Sequence, residues 1–232
     1  MAENQSMPIE FDHLFIFTTT GAPNVDQLLN TGLLEGQRNV HPGQGTANRR
    51  IFFHNAMLEF IWVHNRAEVL SPVIKPLRLW ERFRYQETGF SPFGIALRST
   101  GQSPESSNKL PFDTWAFNPP YLPDHLQIDV ARNEANIGEP LIFYIPFGAR
   151  PDTHSRENRQ PLAHPLGFRE ITGLKLTITT SLPKSAAVRT LEQRNAIAIF
   201  HGERPLAEAT FDHGQADRHA DFRPGLPLIF HW

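Results

Sequence analysis

His13 and Glu59 are the residues best placed to do chemistry, because each lies in an apolar run where a titratable group needs a partner. His13 sits in Phe11-Asp12-His13-Leu14-Phe15-Ile16, and Glu59 in Leu58-Glu59-Phe60-Ile61-Trp62-Val63. Both runs read as strands. Alternation sets His13 on one face with Phe11 and Phe15, and Glu59 on one face with Ile61 and Val63. An imidazole or carboxylate buried there must be paired, neutralised or bound to a metal, since burying it alone is costly. A divalent ion with open coordination positions is one outcome. The other is a hydrogen-bonded His–Glu pair doing general acid/base work on a carbonyl compound.

Between these runs lies His41-Pro42-Gly43-Gln44-Gly45-Thr46-Ala47-Asn48-Arg49-Arg50. It lacks the third glycine of a dinucleotide fingerprint, and a strand follows it rather than a helix. Its glycines permit positive φ and close backbone approach to a ligand. Thr46 and Asn48 offer short hydrogen-bonding groups, and Arg49 or Arg50 could fork around a carboxylate. The competing reading is a turn whose Asn and Thr satisfy the backbone.

Short strands broken by rigid loops must position these groups, as 18 Phe and 20 Pro suggest. A strand over 11–18 precedes a helix over 24–33, with Val25, Leu28, Leu29 and Leu33 as its apolar stripe. Strands over 50–54 and 57–63 pair across an Asn55-Ala56 turn. A helix follows over 75–86. A second set of strands runs over 93–99, 113–117, 126–132 and 141–147, with loop composition at 101–110 where a helix would balance the first set. After a Pro-, His- and Arg-rich connector (148–166) come a strand over 171–179, a helix over 185–194, and strands over 197–201, 206–211 and 226–231.

The strand carrying Asp12-His13-Leu14, the Gly43-x-Gly45-Thr46-Ala47-Asn48-Arg49 run and Leu58-Glu59-Phe60 together resemble the glyoxalase-like branch of the vicinal oxygen chelate superfamily, over residues 9–66. The resemblance implies an α+β fold of paired βαβββ modules forming a half-open barrel. The modules fall at about 9–66 and, helix-poor and degenerate, at about 90–148, with a third unit at about 168–232, all in one compact domain spanning 1–232. It also implies one divalent metal (Zn, Mn or Fe) ligated by His13 and Glu59, with His41, Thr46, Asn48 and Arg49 binding substrate. A further Glu is expected from the second module, and alignment of Pro140-Leu141-Ile142-Phe143-Tyr144-Ile145 puts Tyr144 at its position. His164, in His164-Pro165-x-Gly167, resembles the linker that helps close the cavity. His125, His154, His164 and His231 are the remaining sources of a third ligand. A two-ligand ion is expected to bind weakly and to lose to protonation just below neutrality, an unperturbed imidazole titrating near pH ~6.5.

Bulk properties exclude several classes. A formal net charge of -2 gives no footprint for nucleic acid or an anionic membrane surface. No apolar run approaches the roughly 20 residues of a membrane span. Residues 1–10 carry neither a basic n-region nor an apolar h-region, so no signal peptide is expected and Asn4-Gln5-Ser6 is a chance glycosylation pattern. The absence of cysteine rules out disulfides and thiolate chemistry. The simplest placement is cytoplasmic, with a small-molecule ligand as partner and a homodimer as the assembly considered. His201, His213, His219 and His231, with Asp212, Asp217 and Asp221, match no metal spacing and read as a solvated loop region. The leading function is therefore a glyoxalase-like enzyme acting on a small oxygenated metabolite by lyase, isomerase or dioxygenase chemistry. The rival is a metal-free protein of the same fold that sequesters a small apolar or aromatic compound.

Overall fold

The computed structural model describes residues 9–100, 110–194 and 197–232. Strands β1 (Ile9–Phe17), β2 (Asn39–His41), β3 (Thr46–Phe52) and β4 (Met57–Val63) form the first module with helix α1 (Asp26–Asn30). Strands β5 (Phe93–Ser99), β6 (Thr114–Phe117), β7 (Ile128–Ala131) and β8 (Leu141–Ile145) form the second. They join in one eight-stranded sheet of order β2-β3-β4-β1-β5-β8-β7-β6. The halves mirror each other: β1 pairs parallel with β4, β5 pairs parallel with β8, and β1 meets β5 antiparallel at the centre. This is the α+β arrangement of paired modules expected from sequence. The loop expected over 101–110 lies, but for Leu110, outside the described residues, as do Asn4-Gln5-Ser6 and most of the first ten residues.

Both faces of this sheet are covered, which explains why its central strands read as near-continuous apolar runs. Leu14, Ile16, Leu58 and Phe60 pack on one side into a core shared with the C-terminal unit. Phe15, Phe17, Ile61 and Val63 pack on the other, under Val69, Ile74, Leu77 and Leu79. We call the latter the pocket face.

The segment covering the pocket face departs from the single helix expected over 75–86. A 3-10 turn at Lys75–Leu77 is followed by α3 (Leu79–Phe83) and α4 (Tyr85–Thr88), after a short α2 (Arg66–Val69). Arg78, at φ 57 and ψ 34, separates the turn from α3, and Arg84, at φ -100 and ψ 32, separates α3 from α4. Pro76 removes a backbone donor from the same stretch.

The C-terminal unit contains β9 (Ile171–Ile178), α5 (Ala186–Arg194), β10 (Ile197–His201), β11 (Leu206–Phe211), β12 (His219–Asp221) and β13 (Leu228–His231). Its sheet order is β10-β9-β11-β13-β12, so the strand after the helix pairs parallel with β9 instead of lying at the far edge. It is thus not a third copy of the module. The loop read between 211 and 226 also holds β12, paired antiparallel with β13. Phe168 stacks on Phe211 at 4.5 Å, and Phe53 contacts Phe211 at 4.7 Å, anchoring this sheet to the back of the first module.

Candidate functional site

A β-bulge builds the centre of the site. Phe11 pairs with Leu97 and His13 with Ala96, so Asp12 is an extra residue in β1. The bulge turns the strand over at this point. Phe11 packs against the back core, whereas His13 and Phe15 line the pocket, correcting the shared face expected for Phe11 and His13. It also lets neighbouring side chains meet: His13 Nδ1 lies 2.6 Å from Asp12 Oδ1. Asp12 Oδ2 accepts from Arg98 Nη1 at 3.0 Å. Arg98, itself 2% exposed, also donates to Glu10 and to the Asn55 carbonyl, each at 2.8 Å. Burial alone would raise the Asp12 pKa, but the His13 bond and the Arg98 charge outweigh it and hold the carboxyl below its ordinary value.

Glu59 arrives on the same face from the neighbouring strand β4, its Oε2 3.4 Å from His13 Nε2. Its other oxygen, Oε1, accepts from Asn48 Nδ2 at 2.5 Å. The Asn48 amide is oriented by its own carbonyl, which accepts from the Asn39 backbone N–H at 2.9 Å. The result is a continuous relay, Glu59–His13–Asp12–Arg98–Glu10. His13 and Glu59 are 7% and 6% exposed.

Around them lies a cavity of about 130 Å³. His41, Gln44, Asn48, Arg50 and Tyr121 form its polar wall, and Phe15, Ile61, Ile128, Phe143 and Ile145 its apolar wall. His41 Nδ1 and Gln44 Nε2 both meet Thr46 Oγ1 at 2.8 Å, so buried Thr46 fixes these two rather than touching a ligand. The His41 ring lies 4.7 Å from that of Tyr121. Burial lowers the His41 pKa, and burial together with the Glu59 charge raises that of Tyr121, so His41 is held neutral and Tyr121 is kept as a phenol. Gly45 closes the loop behind them: at φ 79 it accepts no side chain, and a Cβ would stand 2.4 Å from the Asn65 carbonyl oxygen.

Besides Thr46, three expected site residues do not line the cavity. Arg49 points to the opposite side of β3 from Thr46 and Asn48, donating to both Glu35 oxygens (2.9 and 2.7 Å) and to the Ala22 carbonyl. Arg50, directly across from Glu59 in the β3–β4 register, is the arginine that lines the cavity. Tyr144 belongs to the back core, while Phe143 and Ile145, one residue to either side, face the cavity. His164 is also behind the sheet: its Nδ1 accepts from Leu34 N–H and its Nε2 donates to the Phe52 carbonyl. A one-residue slip inverts every face assignment in a strand, and that is the error at Arg49 and Tyr144. Alternation from Asn48 would have found Arg50. Tyr121, in a Pro-rich loop, left no periodic signal.

The expected metal can be tested against these donors. A catalytic zinc site uses three protein ligands. His13 Nε2 and Glu59 Oε2 converge, but the second module presents Phe143, Ile145 and Ile128, and His231 is bonded to Glu208 in the other sheet. Among the described residues no set of three His, Cys, Asp or Glu groups converges as metal ligands. Among the described residues the donor set for such an ion is one short.

The family model described as a glyoxalase-like domain matches residues 11–191. No curated protein matches the chain. Among solved structures, a hypothetical protein from Staphylococcus aureus is similar at a TM-score of 0.55 and 10% identity, over 96% of this chain and 99% of that one. At this identity the likeness concerns the fold alone. No described helix is long and apolar enough to cross a membrane.

Proposed function

We propose, on the premise that the chain belongs to the glyoxalase-like family of the vicinal oxygen chelate superfamily, that it is an enzyme moving a proton beside the carbonyl of a small oxygenated metabolite. The observation that carries this is the mounting of Glu59: one carboxylate oxygen fixed by Asn48, the other turned towards His13 at a small cavity. A volume of about 130 Å³ lies below that of pockets that enclose drug-sized ligands, in keeping with a compact substrate.

Each residue has a role that follows from its geometry. The Glu59 carboxylate takes the proton from the carbon next to the carbonyl, and the C–H electron pair moves to form an enolate. Tyr121 and Arg50 supply a hydroxyl donor and a cation for the developing oxyanion. Asp12 accepts the Nδ1–H of His13 and so keeps Nε2 turned to Glu59, where His13 can hold or return the proton. Return to the opposite face of the same carbon racemises the substrate, and return to the adjacent carbon isomerises it. Parallel assays of small 2-oxo and 2-hydroxy carbonyl compounds with wild type and Glu59→Gln test this reading. Turnover lost in the variant supports it, and equal turnover refutes it.

The apolar wall supports a second reading, in which the cavity only sequesters its ligand. Phe15 and Phe143 stack at 5.7 Å, offering a flat surface for a planar compound. Unchanged ligand affinity in His13→Ala, with no turnover in wild type, would favour it.

A further inference from the structure

We infer that a second cavity on the pocket face, of about 700 Å³ and built around Arg82, binds an amphipathic organic anion: an acidic head on the Arg82 guanidinium and a flat apolar body against Trp115 and Phe90. This cavity shares no lining residue with the one at His13 and Glu59. Its size is that of pockets that hold a cofactor- or drug-sized molecule, which the smaller cavity is not. The inference therefore stands independently of the proposed reaction.

Arg82 is the reason to expect an anion. It is 4% exposed on α3, and its Nη1 donates to the carbonyls of Ser91 (2.9 Å) and Glu139 (3.1 Å). Its buried Nε has no acceptor. The nearby Glu139 carboxylate favours the Arg82 charge from a distance but does not accept a hydrogen bond from it, its oxygens being taken by Asn133, Asn136 and the Ser185 backbone N–H at 3.0, 3.1 and 2.7 Å. A buried cation with only neutral acceptors is costly, and a bound acid would relieve that cost. Burial pushes the Arg82 pKa down to about 10 against the charges of Glu81 and Glu139, which leaves it charged at neutral pH.

The rest of the wall agrees in chemistry. Lys75, Arg78 and Arg132 stand at the rim. Arg78 pairs with Glu81 at 3.0 Å and Arg132 with Glu134 at 3.9 Å, so among the described residues Lys75 adds the positive charge not matched by a carboxylate. Trp115, Val130 and Leu141 come from β6, β7 and β8, a rigid floor on which an apolar body can lie. Arg82 also stands 5.7 Å from the Phe90 ring, so a carboxylate on the guanidinium would place its attached body beside that ring.

Calorimetric titration of the full chain with 2-naphthoate tests the inference, with 2-naphthalenemethanol and inorganic phosphate as the neutral and the bodiless comparisons. One naphthoate should bind at least about tenfold more tightly than either, since an arginine–carboxylate contact in a dry site is a charge-assisted pair. Arg82→Met should weaken naphthoate about tenfold and leave the alcohol unchanged. Should that variant fail to fold by circular dichroism, Lys75→Gln with Arg132→Gln carries the test and should reduce both affinity and its salt dependence. Equal binding of naphthoate and alcohol, phosphate binding as tightly as naphthoate, or unchanged affinity in the folded Arg82 or rim variant overturns the inference. So does loss of naphthoate binding in Glu59→Gln, which would place the ligand in the smaller cavity.

Discussion

Asp12 and His13 are consecutive residues of one strand, yet their side chains meet at 2.6 Å because the β1 bulge inserts Asp12 as an unpaired residue. In a regular strand they would point to opposite faces. The bulge thus turns a two-residue sequence into an oriented imidazole, with Arg98 behind it holding the carboxylate charged.

Asp12→Asn keeps the shape but loses the anion that orients His13. We expect kcat to fall about 10- to 100-fold, as for other residues that orient a catalytic or metal-bound His. Arg98 retains Glu10 and the Asn55 carbonyl, so the fold should survive with a loss of about 1–3 kcal/mol. Steady-state kinetics and urea unfolding on the same preparation check both halves. An unchanged kcat would remove Asp12 from the mechanism.

Arg49 and Arg50 should separate cleanly. Arg49→Met removes the bonds to half-buried Glu35, which keeps Arg38, to Asp26 and to the Ala22 carbonyl, and should cost about 1–3 kcal/mol. Arg50→Gln should cost little stability but raise KM, because this side chain faces the cavity opposite Glu59. Denaturation midpoints and KM, measured for both variants, should give opposite rankings.

The register of β8 makes a metal-binding prediction. Tyr144→Glu buries a carboxylate in the back core and should destabilise the protein without gaining an ion. Ile145→Glu places a carboxylate on the cavity wall that already presents His13 and Glu59, completing a three-donor set. Zinc or manganese titration should show wild type binding weakly and Ile145→Glu at least about tenfold more tightly. Tighter binding in Tyr144→Glu would mean that the strand faces are misassigned.

Acid should weaken the fold through two buried histidines. His164 accepts the Leu34 N–H at Nδ1, so protonation there breaks a bond, and burial lowers its pKa despite the Phe52 carbonyl that favours the charged form. Burial likewise lowers that of His41. With folded values below the unfolded ~6.5, the unfolded chain takes up protons first as pH falls. Their contribution is intact above about pH 6.5 and is lost as pH falls towards the folded values, by at most about 1.4 kcal/mol per pH unit for each group. Unfolding free energy measured between pH ~7.5 and ~5 should decline less steeply in His164→Asn than in wild type. Parallel curves would exclude His164 as a contributor.

In the first module β3 begins at Thr46 rather than 50, the loop to β4 runs over 53–56 rather than being a two-residue Asn55-Ala56 turn, and β2 carries no apolar signal. Strands β1 and β4 were legible because they follow the local rules of period. His13 and Glu59 stood out for a similar reason, as ionisable groups inside apolar strands. What the sequence hid depends on register or on distant chain segments. The bulge at Asp12 follows no local pattern, so simple alternation puts Phe11 on the wrong face. Arg49 and Arg50 are adjacent, and only the pairing of β3 with β4 tells which one faces the cavity. Tyr121 reaches the site from a proline-rich loop, and Arg82 from a helix broken at Arg78, where periodicity gives no guidance.

The most direct measurement is hydrogen exchange in D2O, followed by NMR, at the carbon beside the carbonyl of a small 2-hydroxy or 2-oxo compound. Wild type should exchange that hydrogen well above the uncatalysed rate, and Glu59→Gln, shown to be folded, should fall by about 10²-fold or more, the contribution of a positioned general base. Exchange that persists at the wild-type rate in Glu59→Gln would contradict the assignment of Glu59 as the base.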